Sequence, residues 1–177
     1  LSGQQFQLPI LLKNDVDVAG ISLTLDLPEG MTLAKDEDGD IIYSLNEERD
    51  KSSKFSVYWA EDNDGNYGFR IVPNSTTTVS GTEGAVLVVT VNVADDMAEG
   101  TYPIILKANS LTVKDSEGQL STLDLPDTRT SFSVIDAMPG DANADGRIDL
   151  TDGIMIVYFS LGVAQQGFVE KAADVNG

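Results

Sequence analysis

The feature that most constrains the fold is the alternation of apolar and polar residues along the first three-quarters of the chain. Between residues 21 and 27, isoleucine or leucine occupies every odd position, and serine, threonine or aspartate lies between them. Successive side chains of a strand point to opposite faces, so this period predicts a strand buried on one face. Further short strands are predicted at 6–12, 55–59, 69–71, 102–108, 110–113 and 130–135.

One segment is more uniformly apolar, and turn signals separate the predicted strands. Residues 86–93 are mostly valine and leucine, which is typical of a central strand. Clusters of Gly, Pro, Asp and Glu predict turns at 17–20, 28–30, 38–39, 64–65, 81–84 and 117–118. Many short strands with such turns predict a mainly β fold, an antiparallel β-sandwich of the jelly-roll type, over residues 1–136.

A different pattern lies near the C-terminus, in residues 141–152. Oxygen-bearing side chains occupy the first, third, fifth, ninth and twelfth positions, as Asp141, Asn143, Asp145, Asp149 and Asp152. Gly146 allows the sharp turn that such a loop needs, and Arg147 would contribute its backbone carbonyl. Ca²⁺ binds oxygen ligands at about 2.3–2.6 Å, and this spacing is the one that wraps a chain around it. The sequence therefore predicts a calcium site formed by these residues.

The residues on either side of the loop distinguish it from a helix–loop–helix site. Pro139 and Gly140 precede the loop and disfavour an entering helix there. After the loop, residues 150–161 predict a helix of about three turns that ends at Gly162. A calcium loop with only an exiting helix, and with Asp152 rather than Glu at its last position, resembles one repeat of a type I dockerin.

The dockerin resemblance implies a duplicated repeat and a partner surface. Residues 173–177 restart the pattern of residues 140–144, and Asp174 and Asn176 would be the first and third positions of a second loop, truncated here. In dockerins the end of the loop and the middle of the helix contact a cohesin. The matching positions are Leu150, Thr151, Val157 and Tyr158. The helix is apolar on every face, so it must be covered by a partner, by the second dockerin helix or by the chain's own sandwich.

The predicted sandwich has a family resemblance of its own. Residues 8–14 form a strand ending in Lys-Asn, and residues 18–28 form a second strand followed by a proline turn. Together with 100–104 and the last strand at 131–134, this pattern resembles a cohesin module. The resemblance implies two domains, a cohesin-like sandwich over 1–136 and a dockerin type I module over 137–177. Carbohydrate-binding modules share many of these strand and turn residues.

Other candidate sites have simpler explanations. The acidic segments 36–40 and 62–66 faintly resemble calcium loops, but each contains a strong hairpin-turn signal and lacks the downstream acid. Tyr58 and Tyr67 are candidates for stacking on sugar rings. Trp59 alternates with other apolar residues, which favours packing in the core over a glycan site.

Composition excludes several functions. The 177 residues contain no cysteine and no histidine, so thiolate metal sites, disulfides and imidazole catalysis are absent. The net charge of −18 disfavours nucleic acid and anionic membranes as partners. No segment reaches the length of a membrane-spanning helix, and no nucleophile or phosphate-binding motif is present. We therefore expect a protein that is not an enzyme.

The sequence leads to one main functional hypothesis and two alternatives. The main hypothesis is a secreted or cell-surface module for calcium-dependent assembly of the cohesin–dockerin kind, in a polysaccharide-degrading or cell-surface system. Its partner would be a cohesin- or dockerin-bearing protein, and the millimolar calcium outside cells suits an open loop. The alternatives are a carbohydrate-binding module of a secreted glycan-degrading protein, or a structural spacer of a surface adhesin.

Overall fold

The computed structural model describes residues 4–51, 54–74, 76–134, 138 and 140–173. The chain divides into two compact units, residues 2–134 and residues 135–177. We call them the sandwich unit and the C-terminal unit. Within the described residues, no helix is both long and apolar enough to cross a membrane.

The described part of the sandwich unit consists of strands joined by turns. They are β1 (Gln5–Leu11), β2 (Asp17–Asp26), β3 (Met31–Leu33), β4 (Tyr43–Leu45), β5 (Phe55–Glu61), β6 (Tyr67–Pro73), β7 (Ala85–Val93), β8 (Gly100–Lys114), β9 (Leu120–Asp124) and β10 (Thr128–Val134). Every pair of neighbouring strands is antiparallel. This architecture confirms the prediction of a mainly β fold with two antiparallel sheets.

The strands form a four-stranded and a six-stranded sheet. In the first, β7 pairs with β1 on one side and with β3 and β4 on the other. In the second, the order is β10-β8-β2-β6-β5, and β9 extends the sheet by pairing with β8. The position of β7 between its neighbours confirms that the apolar segment 86–93 is a central strand.

The apolar core is made by one face of each sheet. Its most deeply buried members, with no exposed surface, include Leu25 from β2 and Leu87, Val89 and Val91 from β7. Alternate residues of β7 are buried, as the period of two requires. At about 25 cal/mol per Å² of apolar surface, burial of this kind is the main stabilising contribution to such a sandwich.

The predicted strands correspond to β1, β2, β5, β6, β7, β8 and β10, and two expectations need correction. The segments 102–108 and 110–113 form one continuous strand, β8, because a bulge at Ala108, with φ of 48°, absorbs the irregularity between them. The predicted turn at 17–20 lies inside β2. There, a register shift between Val18 and Gly20 accommodates the glycine within the strand.

Three acidic turns of the sandwich unit share one structure. Asp36, Asp62 and Asp115 each use one side-chain oxygen to accept the backbone N–H groups two and four residues later, at 2.8–3.0 Å. The glycine three residues after each aspartate has φ between 79° and 88°, which favours glycine. Segments 36–40 and 62–66 are therefore hairpin turns, as predicted. The repeated Asp-x-(Asp or Glu)-Gly pattern is a local signal for this turn.

The C-terminal unit contains two helices within its described residues. They are α1 (Leu150–Ser160) and α2 (Glu170–Ala173). The helix predicted at 150–161 is thus present, with Leu161 as its C-cap residue. Gly162 follows with φ of 75° and donates to the carbonyl of Phe159, while Val163 donates to that of Tyr158. This is the Schellman arrangement that glycine after a helix favours.

Candidate functional site

The loop at 141–152 begins by winding around the side chain of its first residue. Asp141 accepts the backbone N–H of Asp145 at 3.0 Å and that of Gly146 at 2.8 Å. Asn143 accepts the same Asp145 N–H at 2.9 Å. Gly146 has φ of 83°, and a side chain is disfavoured in that conformation. The aspartates and the glycine therefore act locally, before any ligand is considered, to close the first half of the loop.

The last residue of the loop joins its two ends. Asp152 accepts the N–H of Asn143 at 3.1 Å with one oxygen and the N–H of Asp149 at 2.8 Å with the other. Its side chain is only 1% exposed. The hydrogen bond from Asp149, joined by those from Asn143 and Ala142, holds the pKa of Asp152 below its ordinary value against the opposing effect of burial. The carboxylate is therefore kept charged where it closes the loop.

The same residues start the helix α1. Asp149 is its N-cap and accepts the N–H of Thr151 at 2.7 Å, while Asp152 returns to the N–H of Asp149. This reciprocal pair is a capping box, which satisfies backbone donors that a helix start leaves unpaired. The loop and the helix therefore share two acidic residues, so that the closure of the loop and the start of the helix are coupled.

The oxygen-bearing side chains of the loop suit a hard cation, although the structure does not bring them together as a group of metal ligands. Asp141 is 4% exposed and Asp152 is 1% exposed, and neither is in an ion pair within the described residues. Buried carboxylates without a cation are costly, and oxygen is the ligand that Ca²⁺ prefers. Among the described residues, however, no group of three or more acidic side chains is arranged to hold a metal ion.

The hydrogen bonds in the middle of the loop explain why its acidic side chains are not arranged to hold a metal ion. Asp145 accepts the N–H of Arg147 at 2.9 Å and the side-chain amide of Asn143 at 3.0 Å. These oxygens are directed to donors of the loop itself. Calcium binding by Asp141, Asn143, Asp145, the carbonyl of Arg147, Asp149 and Asp152 stays a prediction.

Residues 168–172 contact the predicted calcium loop and the helix after it. Gly140 donates to the carbonyl of Ala172 at 2.7 Å, and Val169 donates to that of Ala142 at 2.8 Å. Ala142 and Ala172 are both fully buried. Phe168 also stacks on Phe159 at the end of α1, with 4.3 Å between the ring centroids. The predicted second-loop residues Asp174 and Asn176 lie outside the described residues.

The helix α1 exposes much of its apolar surface. Leu150 is 78% exposed, Val157 55% and Tyr158 45%, and Thr151 is also exposed. These are the residues predicted to contact a partner. Ile154, one turn after Leu150, adds to the same exposed apolar surface. Large exposed apolar patches are uncommon on soluble proteins and mark sites of interaction, so this surface is a candidate site for docking.

The structure separates the two tyrosines that were predicted to bind glycans. Tyr67 is 3% exposed, and its hydroxyl accepts the N–H of Leu33 at 3.4 Å. The prediction for Tyr67 is therefore wrong, because its ring lies in the core, on the same side of β6 as Phe69 and Ile71. Tyr58 is 63% exposed on the outer face of the six-stranded sheet, and Trp59 packs partly buried against the core.

One exposed residue beside Tyr58 is absent from the sequence-based predictions. Arg70 on β6 lies directly opposite Tyr58 on β5. The two positions are equally far from the ends of the turn at 62–66, so a hairpin symmetric about that turn would have paired them. The sequence therefore contained the information that places Arg70 beside Tyr58, but reading it required the register of the hairpin.

Comparison with known proteins identifies the fold of the sandwich unit. No protein-family model matches the chain, and no curated protein matches it. The seventh ScaB type I cohesin from Pseudobacteroides cellulosolvens is similar with a TM-score of 0.61 at 15% identity, over 77% of this chain and 86% of that chain. The cohesin module of a family 33 glycoside hydrolase from Clostridium perfringens gives 0.56 at 12% identity, over 75% and 86%.

A third similar structure comes from an assembled complex. A chain of a type I cohesin–dockerin complex from Clostridium thermocellum has a TM-score of 0.54 at 16% identity, over 72% of this chain and 88% of that chain. At such identities the likeness establishes the fold alone. The chain therefore has a cohesin-like fold, as the resemblance of residues 8–14 and 18–28 implied.

Proposed function

We propose that the chain is a non-catalytic module for protein–protein assembly, in which the cohesin-like sandwich binds a dockerin-bearing partner. The observation that carries this proposal is the similarity of fold to a type I cohesin, with a TM-score of 0.61 over 77% of the chain. One of the similar structures is from a complex of a cohesin with a dockerin. The six-stranded sheet offers such a partner a broad outer face of regular strands.

The C-terminal unit is the second binding element in this proposal. Calcium bound by the loop neutralises the buried carboxylates of Asp141 and Asp152 and stabilises the start of α1, which Asp149 and Asp152 cap. The exposed apolar residues of α1 then bind a cohesin of another protein. Calcium near millimolar concentration is typical outside cells, so the proposed setting is secreted or surface-attached, in a system that degrades polysaccharides.

The assembly function is tested by titrating the full chain, in calcium and in EDTA, with a panel of type I dockerin modules and separately with a panel of type I cohesin modules. We expect a dockerin to bind the sandwich in calcium, and to bind equally well when this chain's own loop is disabled by Asp141→Ala with Asp145→Ala. We expect a cohesin to bind only when calcium is present. Absence of binding to every module of both panels would contradict the proposal.

A substitution on α1 assigns the second binding element. Val157→Asp places a charge in the exposed apolar surface. It should weaken the affinity for a cohesin at least tenfold, while the affinity for a dockerin stays unchanged. Leu11→Asp is the matched control, because Leu11 is 69% exposed on β1 of the sandwich unit. Equal loss of cohesin binding in both variants would show that α1 is not the docking surface.

The calcium site is tested by thermal unfolding and calorimetric titration with Ca²⁺. Asp141→Ala combined with Asp145→Ala should abolish the calcium-dependent stabilisation of the C-terminal unit and leave the sandwich folded. Asp36→Ala with Asp40→Ala is the matched control, because it removes two acids from a turn of similar sequence. A calcium response that survives the first variant would disprove the loop as the site.

A further inference from the structure

The outer face of the six-stranded sheet contains a depression of about 330 Å³. It lies within the sandwich unit, over the neighbouring strands β2, β6 and β5. The residues around it that matter here are Ser22, Thr24, Tyr58, Ala60, Gly68 and Arg70. Its volume is at the lower end of small-molecule sites, which hold about 300–1,000 Å³.

The floor of the depression is a row of small residues across three strands. Thr24 pairs with Gly68, and Gly68 pairs with Ala60, so the three residues lie side by side on the same face. Gly68 leaves open space above the sheet, because a Cβ there would meet only the carbonyl oxygen of Ala60, at 3.8 Å. The absence of side-chain bulk in this row therefore creates the depression.

The adjacent row supplies an aromatic ring, a cation and a hydroxyl. Ser22 pairs with Arg70, and Arg70 pairs with Tyr58. Tyr58 is 63% exposed, so that its ring is available for stacking. Arg70 is also exposed, and within the described residues its guanidinium has no hydrogen bond and no ion pair. An unpaired guanidinium is well suited to a carboxylate, which it can bind through two parallel hydrogen bonds.

The charge of Arg70 is unusual for this part of the molecule. The chain has a net charge of −18, and Lys107, the other nearby cation of this face, is paired with Asp26. Hydrogen bonds from Asn66 lower the pKa of Asp62, and the charge of Lys107 adds a smaller lowering. The free positive charge of the depression is therefore at Arg70, and the end near Asp26 and Asp62 is acidic.

We propose that this depression binds a sugar unit that carries one carboxylate. The ring stacks on Tyr58, the carboxylate binds Arg70, and hydroxyl groups bind Ser22 and Thr24. An arginine beside an aromatic ring and two hydroxyl side chains matches the three kinds of group that such a sugar presents. One carboxylate on the bound sugar unit matches the one free cation of the depression, Arg70. The depression lies on the outer face that the proposed function gives to a dockerin, but its test needs neither a dockerin nor a cohesin.

The test is a calorimetric and NMR titration of the full chain with a trimer of galacturonic acid. The fully methyl-esterified trimer is the matched ligand, because it keeps the rings and removes the charge. We expect the acid to bind at least tenfold more tightly than the ester. Arg70→Gln should remove this preference, and Tyr58→Ala should weaken binding of both ligands. Arg129→Gln, on β10 and away from the depression, should change neither affinity.

A variant that fills the floor of the depression tests the proposal independently. Gly68→Val places a branched side chain in the depression, where the neighbouring atoms leave room for it and a strand favours it. It should abolish binding of both trimers while the melting temperature stays near that of the natural sequence. The proposal would be overturned by three results: no binding of the acid, binding that survives both Tyr58→Ala and Gly68→Val, or equally tight competition by triglutamate, which would identify a site for acidic peptides.

Discussion

The two units of this chain are stabilised by different kinds of contact. All members of the large buried core cluster lie in the sandwich unit, between Ile10 and Val134. Among the described residues of the C-terminal unit, the buried ones are two alanines and two aspartates, namely Ala142, Ala172, Asp141 and Asp152. The large apolar residues of α1 are mostly exposed instead. Burial of apolar surface supports the first unit, whereas hydrogen bonds to acidic side chains support the second.

One chain can therefore combine a permanent fold with a conditional one. Apolar burial is insensitive to ions and to moderate changes of pH, so the sandwich needs neither. A loop whose closure relies on charged oxygens responds to whatever neutralises or protonates them. We therefore expect the two units to unfold independently, and the following substitutions are chosen to test that independence.

The largest effect is expected from the core of the sandwich. Leu87 on β7 has no exposed surface, so Leu87→Ala should lower the free energy of unfolding by about 2–5 kcal/mol through lost burial and an unfilled cavity. Urea unfolding monitored by the fluorescence of Trp59, the single tryptophan, measures it. Leu11→Ala, at a 69% exposed leucine, should change the free energy by less than about 0.5 kcal/mol. Similar losses in both variants would contradict the assignment of the core.

Acid should open the C-terminal unit before it affects the sandwich. The folded unit holds the pKa of Asp152 below its ordinary value of about 3.9. The stabilisation that the charged carboxylate gives to the folded unit is therefore complete above that pH, and it is lost as the pH falls through the lower pKa of the folded state. In EDTA, far-UV circular dichroism from pH 7 to pH 2 should therefore show α1 melting at low pH. Asp152→Asn should flatten this dependence. Glu170→Gln, an exposed acid of the same unit, should leave it unchanged.

Two glycines, Gly153 inside α1 and Gly162 just after its C-cap, provide the finest comparison. Gly162 has φ of 75°, so Gly162→Ala should cost about 1 kcal/mol of helix stability through backbone strain at the C-terminal cap. Gly153 lies inside the helix without a positive φ and has open space around it, so Gly153→Ala should stabilise the helix by about 0.5–1 kcal/mol. Hydrogen exchange of the α1 amides measures both. Changes of the same sign would disprove the assigned cap.

Local signals made most of the elements predictable. The alternation at 21–27 gave the buried face of β2, and the spacing at 141–152 gave the hydrogen-bonded loop with its helix and terminal glycine. The strands β3, β4 and β9 were not predicted. Two of them are three residues long, and β9 is exposed along its whole length, so none carries a distinct apolar pattern. Their strand structure comes from pairing with β7 and β8.

The candidate sites also divide into those that depend on local sequence and those that depend on the pairing of distant strands. The hydrogen-bonded loop, the capping aspartates and the acidic turns follow from the sequence alone, because each depends on residues a few positions apart. Long-range strand pairing was needed to show that Tyr67 is buried while Tyr58 is exposed, that 100–114 is a single strand with a bulge at Ala108, and that Arg70 lies beside Tyr58 over a floor of small residues. These features arise from the register of strands distant in sequence, which hydrogen bonding and core packing select together.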